Sequence, residues 1–303
     1  MSSLHSTMSM NEKNNRAAPG EFLLTRQDFR EIAAMIHADA GIALPDSKAA
    51  LVYNRLAKRL RALGLSNFRD YCRLVAGSEG LDERQKMLAA LTTNVTRFFR
   101  EPHHFHHLGN KILPPLIEAA RRGGRLRLWS AACSSGQEPY SIALTLLSLM
   151  PDAANFDIKV LATDIDPNMI AVGRRAAYTE DDISPVPAKL RSRWFVPVSG
   201  GQLDGTAKTV EAASGLRELV AFRELNLLGN WPMNGSFQAI FCRNAAIYFD
   251  DATREQLWSR FAPKLPPGGT LYVGHSKRIT GEAARMFEAE GATIYNLRQG
   301  WRA

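Results

Sequence analysis

Four short segments carry side chains suited to a ligand with hydroxyl groups and a positive centre. The first, Ser130-Ala131-Ala132-Cys133-Ser134-Ser135-Gly136-Gln137-Glu138, follows an apolar run. Its small residues and Gly136 let a backbone approach a ligand closely. It is not GxGxxG, whose three glycines make room for a pyrophosphate on a helix N-terminus, so a dinucleotide is disfavoured. Glu138 is placed to open the following helix, comfortable beside its positive end and able to face a cationic ligand. The second segment, Ala162-Thr163-Asp164-Ile165-Asp166, puts an acid where nucleotide-binding α/β folds hydrogen-bond a ribose diol. Glu224-Leu225-Asn226-Leu227 and Phe241-Cys242-Arg243-Asn244 add polar side chains at two further run ends. A ribose acid, a loop without a pyrophosphate cradle and a carboxylate near the middle of the ligand together suit S-adenosylmethionine, which has a ribose and a sulfonium but no phosphate. Plain structural roles compete: Asp164 as a helix cap ahead of Pro167, and the asparagines as turn residues.

These segments need elements to hold them. After Gly123-Gly124, β-rich runs alternate with helical ones (RLRLWSAA, EPYSIALTLLSLM, IKVLATDID, PNMIAVGRRAAY), then LVAFREL, AIFCRN and TLYVGHS follow. That alternation predicts βαβ units and a parallel sheet, completed by the terminal ATIYNLR, with ligands outside the carboxyl ends of the strands. Residues 179–218 interrupt the pattern with SGG, DG and SG turns and little helical periodicity, and read as an inserted β-hairpin subdomain. Before the sheet, residues 22–91 show apolar positions at helical spacing, as in DFREIAAMIHADAGI and KAALVYNRLAKRLRALGL, and predict a domain of about four helices. Residues 92–124 link the two parts, and residues 1–21, polar and aperiodic, read as a mobile tail.

Composition narrows the classes. The 303 residues are 45% hydrophobic and 22% charged, which excludes wholesale disorder. No run is long and apolar enough for a membrane span or a secretion signal, so a cytoplasmic protein without membrane insertion is expected. Three cysteines without a CxxC pair indicate reduced thiols. Thirty-eight basic against 30 acidic residues give +8, which favours an anionic partner without choosing among nucleic acid, membrane and acidic protein.

Together the motifs resemble one family, the bacterial chemotaxis-receptor glutamate O-methyltransferases of the CheR type, over about Thr25 to Leu297. The matching segments are LTTNVTRFFRE at Leu91 to Glu101, WSAACSSGQEPYSIA at Trp129 to Ala143, ATDID, LNL at Leu225 to Leu227, FCRNAAIYFD at Phe241 to Asp250, and GHS at Gly274 to Ser276. The resemblance implies an α/β, Rossmann-like S-adenosylmethionine-dependent methyltransferase domain over 125–303, with the N-terminal all-helical domain and the inserted small antiparallel β-subdomain. It implies cofactor contacts at Asn94, Thr96, Arg100, Glu138, Asp164, Asn226, Leu227, Arg243 and Asn244, with Arg100 and Tyr248 beside the transferring methyl. It implies no metal. Gln137, Gln238, Ala245-Ala246 and Lys277 depart from the family pattern, and the alanine pair puts substrate fit and turnover in question more than cofactor binding.

A glutamate acceptor, with a pKa near 4.3, is already the anionic nucleophile at neutral pH and needs no general base. The family's substrates lie on an acidic helical bundle of methyl-accepting chemoreceptors. Arg55, Lys58 and Arg59 share a helix face with Arg61 nearby and no acid between Ala49 and Leu65, a basic surface for such a partner. Leu56, Leu60 and Leu63 read as the core stripe beside them. His103, His104, His106 and His107 lack a carboxylate to complete an HExxH-like metal site. Competing readings are a nucleic-acid methyltransferase, against which stands the lack of an Asn-Pro-Pro-aromatic motif, and a cofactor-binding module that has lost turnover. In some family members the β-subdomain docks a receptor-tail peptide through arginines. Here Pro197 and Lys208 stand at those positions, beside Gly200, Gly201 and Gly205, and weak or absent binding of such a peptide is expected.

Overall fold

The computed structural model describes residues 22–203, 207–274 and 278–301. The expectations for the 1–21 tail and for Gly205, His275, Ser276 and Lys277 lie outside these residues. The chain divides into two compact units, one running to Ala38 and over Leu44–Leu91, the other comprising Asp39–Ala43 and the chain from Thr92 onward.

The first unit is built from α1 (Arg26–Ala40) up to its Ala38, α2 (Ala49–Leu63), α3 (Phe68–Ala76) and α4 (Leu81–Leu91). Local chemistry sets the ends: Asn67 caps α3 by accepting from the Asp70 amide at 2.8 Å, and Gly64, at φ 67°, closes α2. The buried stripe of α2 is Val52, Leu56 and Leu60, at i, i+4 and i+8, whereas Leu63 is exposed. The last turn of α2 thus presents to solvent a leucine that the pattern had put inside.

The second unit begins with a long helical run made of α5 (Pro102–His107), a π-helical turn at Leu108–Ile112 and α6 (Leu113–Arg121). Then follow β1 (Leu126–Ala131), α7 (Gln137–Leu149), β2 (Ile158–Asp164), α8 (Pro167–Arg175), β3 (Ala177–Thr179), α9 (Ala188–Trp194), β4 (Phe195–Leu203), β5 (Ala207–Ala212), α10 (Ser214–Arg217), β6 (Val220–Glu224), β7 (Ala239–Cys242), α11 (Asp251–Phe261), β8 (Thr270–Val273), β9 (Phe287–Gly291) and β10 (Ile294–Leu297). A seven-stranded sheet has the order β6-β2-β1-β7-β8-β10-β9. Its first five strands are parallel, β10 is antiparallel to β8, and β9 is antiparallel to β10.

β1, the middle of the five parallel strands, is buried at almost every residue, and α7, packed on it, is buried along most of its length. Trp129, fully buried, donates from Nε1 to Thr163 Oγ1 at 2.9 Å and packs on Trp231, Phe237 and Phe261. The chain goes outward from β1 through β2 to β6 and returns to β7 on the other side of β1. The switch of direction therefore falls at the carboxyl ends of β1 and β7, where such sheets bind ligands.

ATIYNLR joins the sheet as β10, and β9, absent from the sequence-based expectation, pairs outside it; the FEAEG sequence of β9 alternates but is short and built largely of Glu, Ala and Gly, which are depleted in strands. One expectation is corrected. The insertion is a three-stranded antiparallel sheet, β3-β5-β4, rather than a lone hairpin. It recruits Ala177–Thr179 ahead of residue 179 and includes the short helices α9 and α10.

Candidate active site

The loop from β1 to α7 holds Ala132, Ser134 and Gly136 at φ 66°, 51° and 99°. This alternation turns the Ser134 amide toward the end of β2, where it donates to Asp164 Oδ2 at 2.7 Å, while the Asp166 amide donates to Oδ1 at 3.0 Å. Concave runs of backbone N–H groups suit an anion, and here the anion is Asp164 itself. Asp164 is 6% exposed. Burial pushes its carboxyl pKa up, opposed by these backbone donors. The Ile165 backbone is a further donor to the carboxylate, which still leaves lone-pair capacity for a hydroxyl donor.

The helix cap ahead of Pro167 is Asp166, which accepts from the Asn168 amide at 2.9 Å. Asp166 also accepts from Asn94 Nδ2 at 3.0 Å, and the Asn94 carbonyl accepts from Ser134 Oγ at 3.0 Å. Gly136 makes room for protein rather than ligand. A Cβ there would lie 2.8 Å from the Tyr178 hydroxyl, 3.1 Å from Gly173 Cα and 3.2 Å from Phe222 Cζ.

Glu138 lies in the first turn of α7 as the sequence suggested, but its carboxylate is engaged within the protein. Oε2 accepts from Arg243 Nε at 2.7 Å, and Oε1 accepts from Ser130 Oγ at 2.6 Å. Arg243, 5% exposed just beyond β7, also donates from Nη1 to the Arg100 carbonyl and stacks over Phe105 and Phe241. Arg100 sits between Phe99 and Glu101, both at positive φ (50° and 57°). The Phe99 amide donates to Ser141 Oγ at 2.9 Å, and Arg100 Nη1 donates to the Val95 carbonyl at 2.9 Å. The backbone strain at these two non-glycine residues is held by Ser141 on α7 and Arg243 just beyond β7.

Of the other sequence-derived positions, Thr96 is half-buried in the same 94–101 segment. Asn226 serves its own turn, donating from Nδ2 to the Asp39 carbonyl at 2.6 Å and accepting from the Leu228 amide at 2.9 Å. Leu227 is buried, and its carbonyl receives Trp231 Nε1 and Arg260. Asn244 adopts φ 61°. Tyr248 is half-buried in a 3-10 turn whose carbonyl accepts from the Ala43 amide at 2.8 Å.

Sequence reasoning did not single out Ser130, Ser134, Ser141 or Asp166 as holders of this network. The available signal was polar side chains on the most apolar strand and helix of the sheet. On α2, Arg59 is turned inward within its own unit, donating from Nε and Nη2 to Glu83 at 2.9 and 2.6 Å. The acid missing from α2 is thus supplied by α4. Arg55 Nη1 donates to the Ala90 carbonyl at 3.2 Å, and Lys58 and Arg61 are exposed.

The set fits S-adenosylmethionine by its chemistry: a buried acceptor carboxylate for a diol at Asp164, amide groups at Asn94, and no arginine or lysine fork at the β1–α7 turn for a phosphate. A seven-stranded, terminally antiparallel sheet with this site defines an S-adenosylmethionine-dependent methyltransferase. More particularly, residues 27–92 match the CheR methyltransferase all-alpha domain and residues 94–296 the CheR methyltransferase SAM binding domain, and the chain belongs to this family. It is 52% identical over 261 residues to a probable chemotaxis protein methyltransferase of Rhizobium etli, covering 86% of this chain and 96% of that one. It is 40% identical over 283 residues to chemotaxis protein methyltransferase 2 of Pseudomonas aeruginosa (91% and 95% covered). The same identity holds over 275 residues to the chemotaxis protein methyltransferase of Escherichia coli (90% and 92%). Among the described residues no helix is long and apolar enough to cross a membrane.

Proposed function

We propose that the chain transfers the methyl group of S-adenosylmethionine to glutamate side chains on the cytoplasmic helices of chemoreceptors, giving methyl esters. The observation that carries this reading is the inventory of ionisable groups around the strand ends among the described residues. Glu138 and Arg243 neutralise each other, and Asp164 is occupied by backbone donors. Cys133 and Cys242 are buried with their thiol pKa values pushed up, and His104 is held neutral inside the protein. None of these is placed to take a proton from an acceptor, and a carboxylate acceptor has none to give.

S-adenosylmethionine, when bound, supplies an electrophilic methyl group. Asp164 and Asn94 would hold its ribose end, and Arg100 would pair with one oxygen of the acceptor carboxylate while Tyr248 orients the acceptor through its hydroxyl. Catalysis then rests on positioning and partial desolvation of an anion that is already nucleophilic. The test is incubation of the chain with radiolabelled S-adenosylmethionine and either receptor membranes or DNA. Label on receptors that mild alkali releases as methanol is expected. Label in DNA, or alkali-stable label on protein, would overturn the reading.

A further inference from the structure

One buried side chain beside the site has no part in the chemistry above. His104, on α5, is fully inaccessible. Its Nε2 lies 2.8 Å from Thr293 Oγ1, in the turn between β9 and β10. Its Nδ1 lies 3.5 Å from Arg243 Nη1 and 3.4 Å from Glu101 Oε2. The hydrogen-bond partners assign the tautomer. Thr293 Oγ1 donates to the Ala292 carbonyl at 2.5 Å, so it can only accept from the histidine, which places the ring proton on Nε2. Arg243 Nη1 cannot lose its protons, so it meets the Nδ1 lone pair, and the charge of Glu101 Oε2 beside both atoms is balanced by the same Arg243 Nη1 at 3.8 Å. Burial and the Arg243 charge keep the second proton off.

The ring therefore joins two partners that its own helix does not touch in sequence: a hairpin turn near the end of the chain and the guanidinium that fixes the Arg100 carbonyl. His107, one helical turn on, adds a parallel link through Nδ1 to the Tyr272 hydroxyl at 2.9 Å and Nε2 to Glu290 at 3.1 Å. Thr293 is itself held at φ 62°, so the acceptor that sets the tautomer sits on a constrained turn. Arg243 has four partners: Glu138 on α7, the Arg100 carbonyl, His104 and, at 3.8 Å, Glu101 Oε2. Its guanidinium is planar and rigid, so the Glu138 bond at Nε and the His104 contact at Nη1 bear on one plane, the plane that carries Nη1 to the Arg100 carbonyl.

We propose that His104 is a positioning residue: through its Nδ1 lone pair it sets the orientation of Arg243, and through Arg243 the strained Phe99–Arg100–Glu101 backbone that carries Arg100 to the methyl-transfer site. This rests on the proposed role of Arg100. Replacement of His104 by Asn keeps an acceptor near the Nδ1 position and loses the Thr293 link. His104→Gln reaches toward Thr293 and loses the acceptor facing Arg243. His104→Phe loses both at similar volume.

The three full-length variants are compared with the parent for S-adenosylhomocysteine affinity by calorimetry, for kcat and KM of methyl transfer to receptor membranes, and for thermal midpoint. Expected is a fall in kcat of tenfold or more in His104→Gln and His104→Phe, with acceptor KM within about twofold, and recovery to within about threefold of the parent in His104→Asn. Cofactor affinity should weaken in the same order, even though His104→Asn and His104→Gln lose comparable thermal stability. If kcat and affinity follow the thermal midpoint instead, or if Asn rescues no better than Gln, His104 is a packing residue and the proposal is wrong. The Asn and Gln comparison decides this even if the phenylalanine variant fails to fold. A parent chain that methylates no receptor would refute the acceptor reading instead, and the order of cofactor affinities would still test His104.

Discussion

Asp164 holds the β1–α7 turn through its carboxylate and is the ribose acceptor we propose, which makes its substitutions informative. Asp164→Ala should weaken S-adenosylmethionine binding by about 1–3 kcal/mol through lost charge-assisted hydrogen bonds to the ribose, read by calorimetry. Asp164→Asn should not rescue it. Both oxygens face backbone N–H groups, of Ser134 and Asp166, so one of them would meet an amide NH2 instead of an acceptor, and the thermal midpoint should fall too. Unchanged affinity in the alanine variant would remove Asp164 from the cofactor site. His104 gives a pH prediction. Burial first, then the Arg243 charge, lowers its pKa to about 2, whereas the unfolded chain titrates near about 6.5. Between these values the unfolded state binds a proton that the folded state does not. Stability therefore falls as pH falls through that window, with a limiting slope of about 1.4 kcal/mol per pH unit. His107, also lowered by burial, acts in the same direction. Thermal scans from pH 7 to pH 5 should show the loss, and His104→Asn should flatten it.

At the level of elements, left-handed backbone recurs with different surroundings, and two glycines separate conformation from space. Gly64 ends α2 at φ 67° with no atom within 4 Å of a built Cβ, so Gly64→Ala should cost about 1–2 kcal/mol from conformation alone. Gly136 has φ 99°, and its Cβ would meet Tyr178, Gly173 and Phe222. Gly136→Ala should therefore cost clearly more than Gly64→Ala in urea unfolding, and it should also lower cofactor affinity by moving the Ser134 amide off Asp164. Equal costs would mean that the β1–α7 turn relaxes freely. In the helical unit, Arg59 and Glu83 form a two-point ion pair that also receives the Tyr71 hydroxyl at 3.1 Å. Reversing Arg59 to Glu would oppose two carboxylates inside the unit, so loss of receptor binding in that variant would report on folding rather than docking.

For the whole molecule the net charge of +8 becomes useful only once the paired cations are set aside. The exposed Lys58 and Arg61, with Arg55 beside them, are the part of the α2 face that an acidic receptor helix would meet. Lys58→Glu with Arg61→Glu should raise the apparent KM for receptor membranes with cofactor affinity unchanged. Binding by the parent should weaken between low and physiological salt, where the Debye length shortens to about 8 Å. Salt-independent binding would exclude this face. In the β-subdomain, Pro197 is paired with Val210 in the β4–β5 ladder, and Lys208 is exposed. A point charge without a second cationic fork is a poor partner for a peptide carboxylate. Binding of a receptor-tail peptide weaker than micromolar is expected in a calorimetric titration, and tight binding abolished by Lys208→Ala would refute this.

The sequence by itself determined the β1, β2, β6, β7, β8 and β10 runs and the helical unit before them, because buried parallel strands and amphipathic helices write their period into the chain. It also determined which segments would meet at the strand ends, since alternation of strands and helices leaves few ways to wind a parallel sheet. Only the tertiary structure decided what each polar side chain does there. Glu138 and Arg243, 105 positions apart, neutralise each other; Asp166 rather than Asp164 is the cap; Asn226 holds a turn; and Arg59 finds its acid on another helix. β9 and His104 escaped for different reasons. β9 pairs locally across the last hairpin, Phe287 opposite Leu297, but its Glu, Ala and Gly have low strand preference. His104 finds Thr293 and Arg243 at separations of 189 and 139 positions, and no local period encodes a hydrogen bond made at that range.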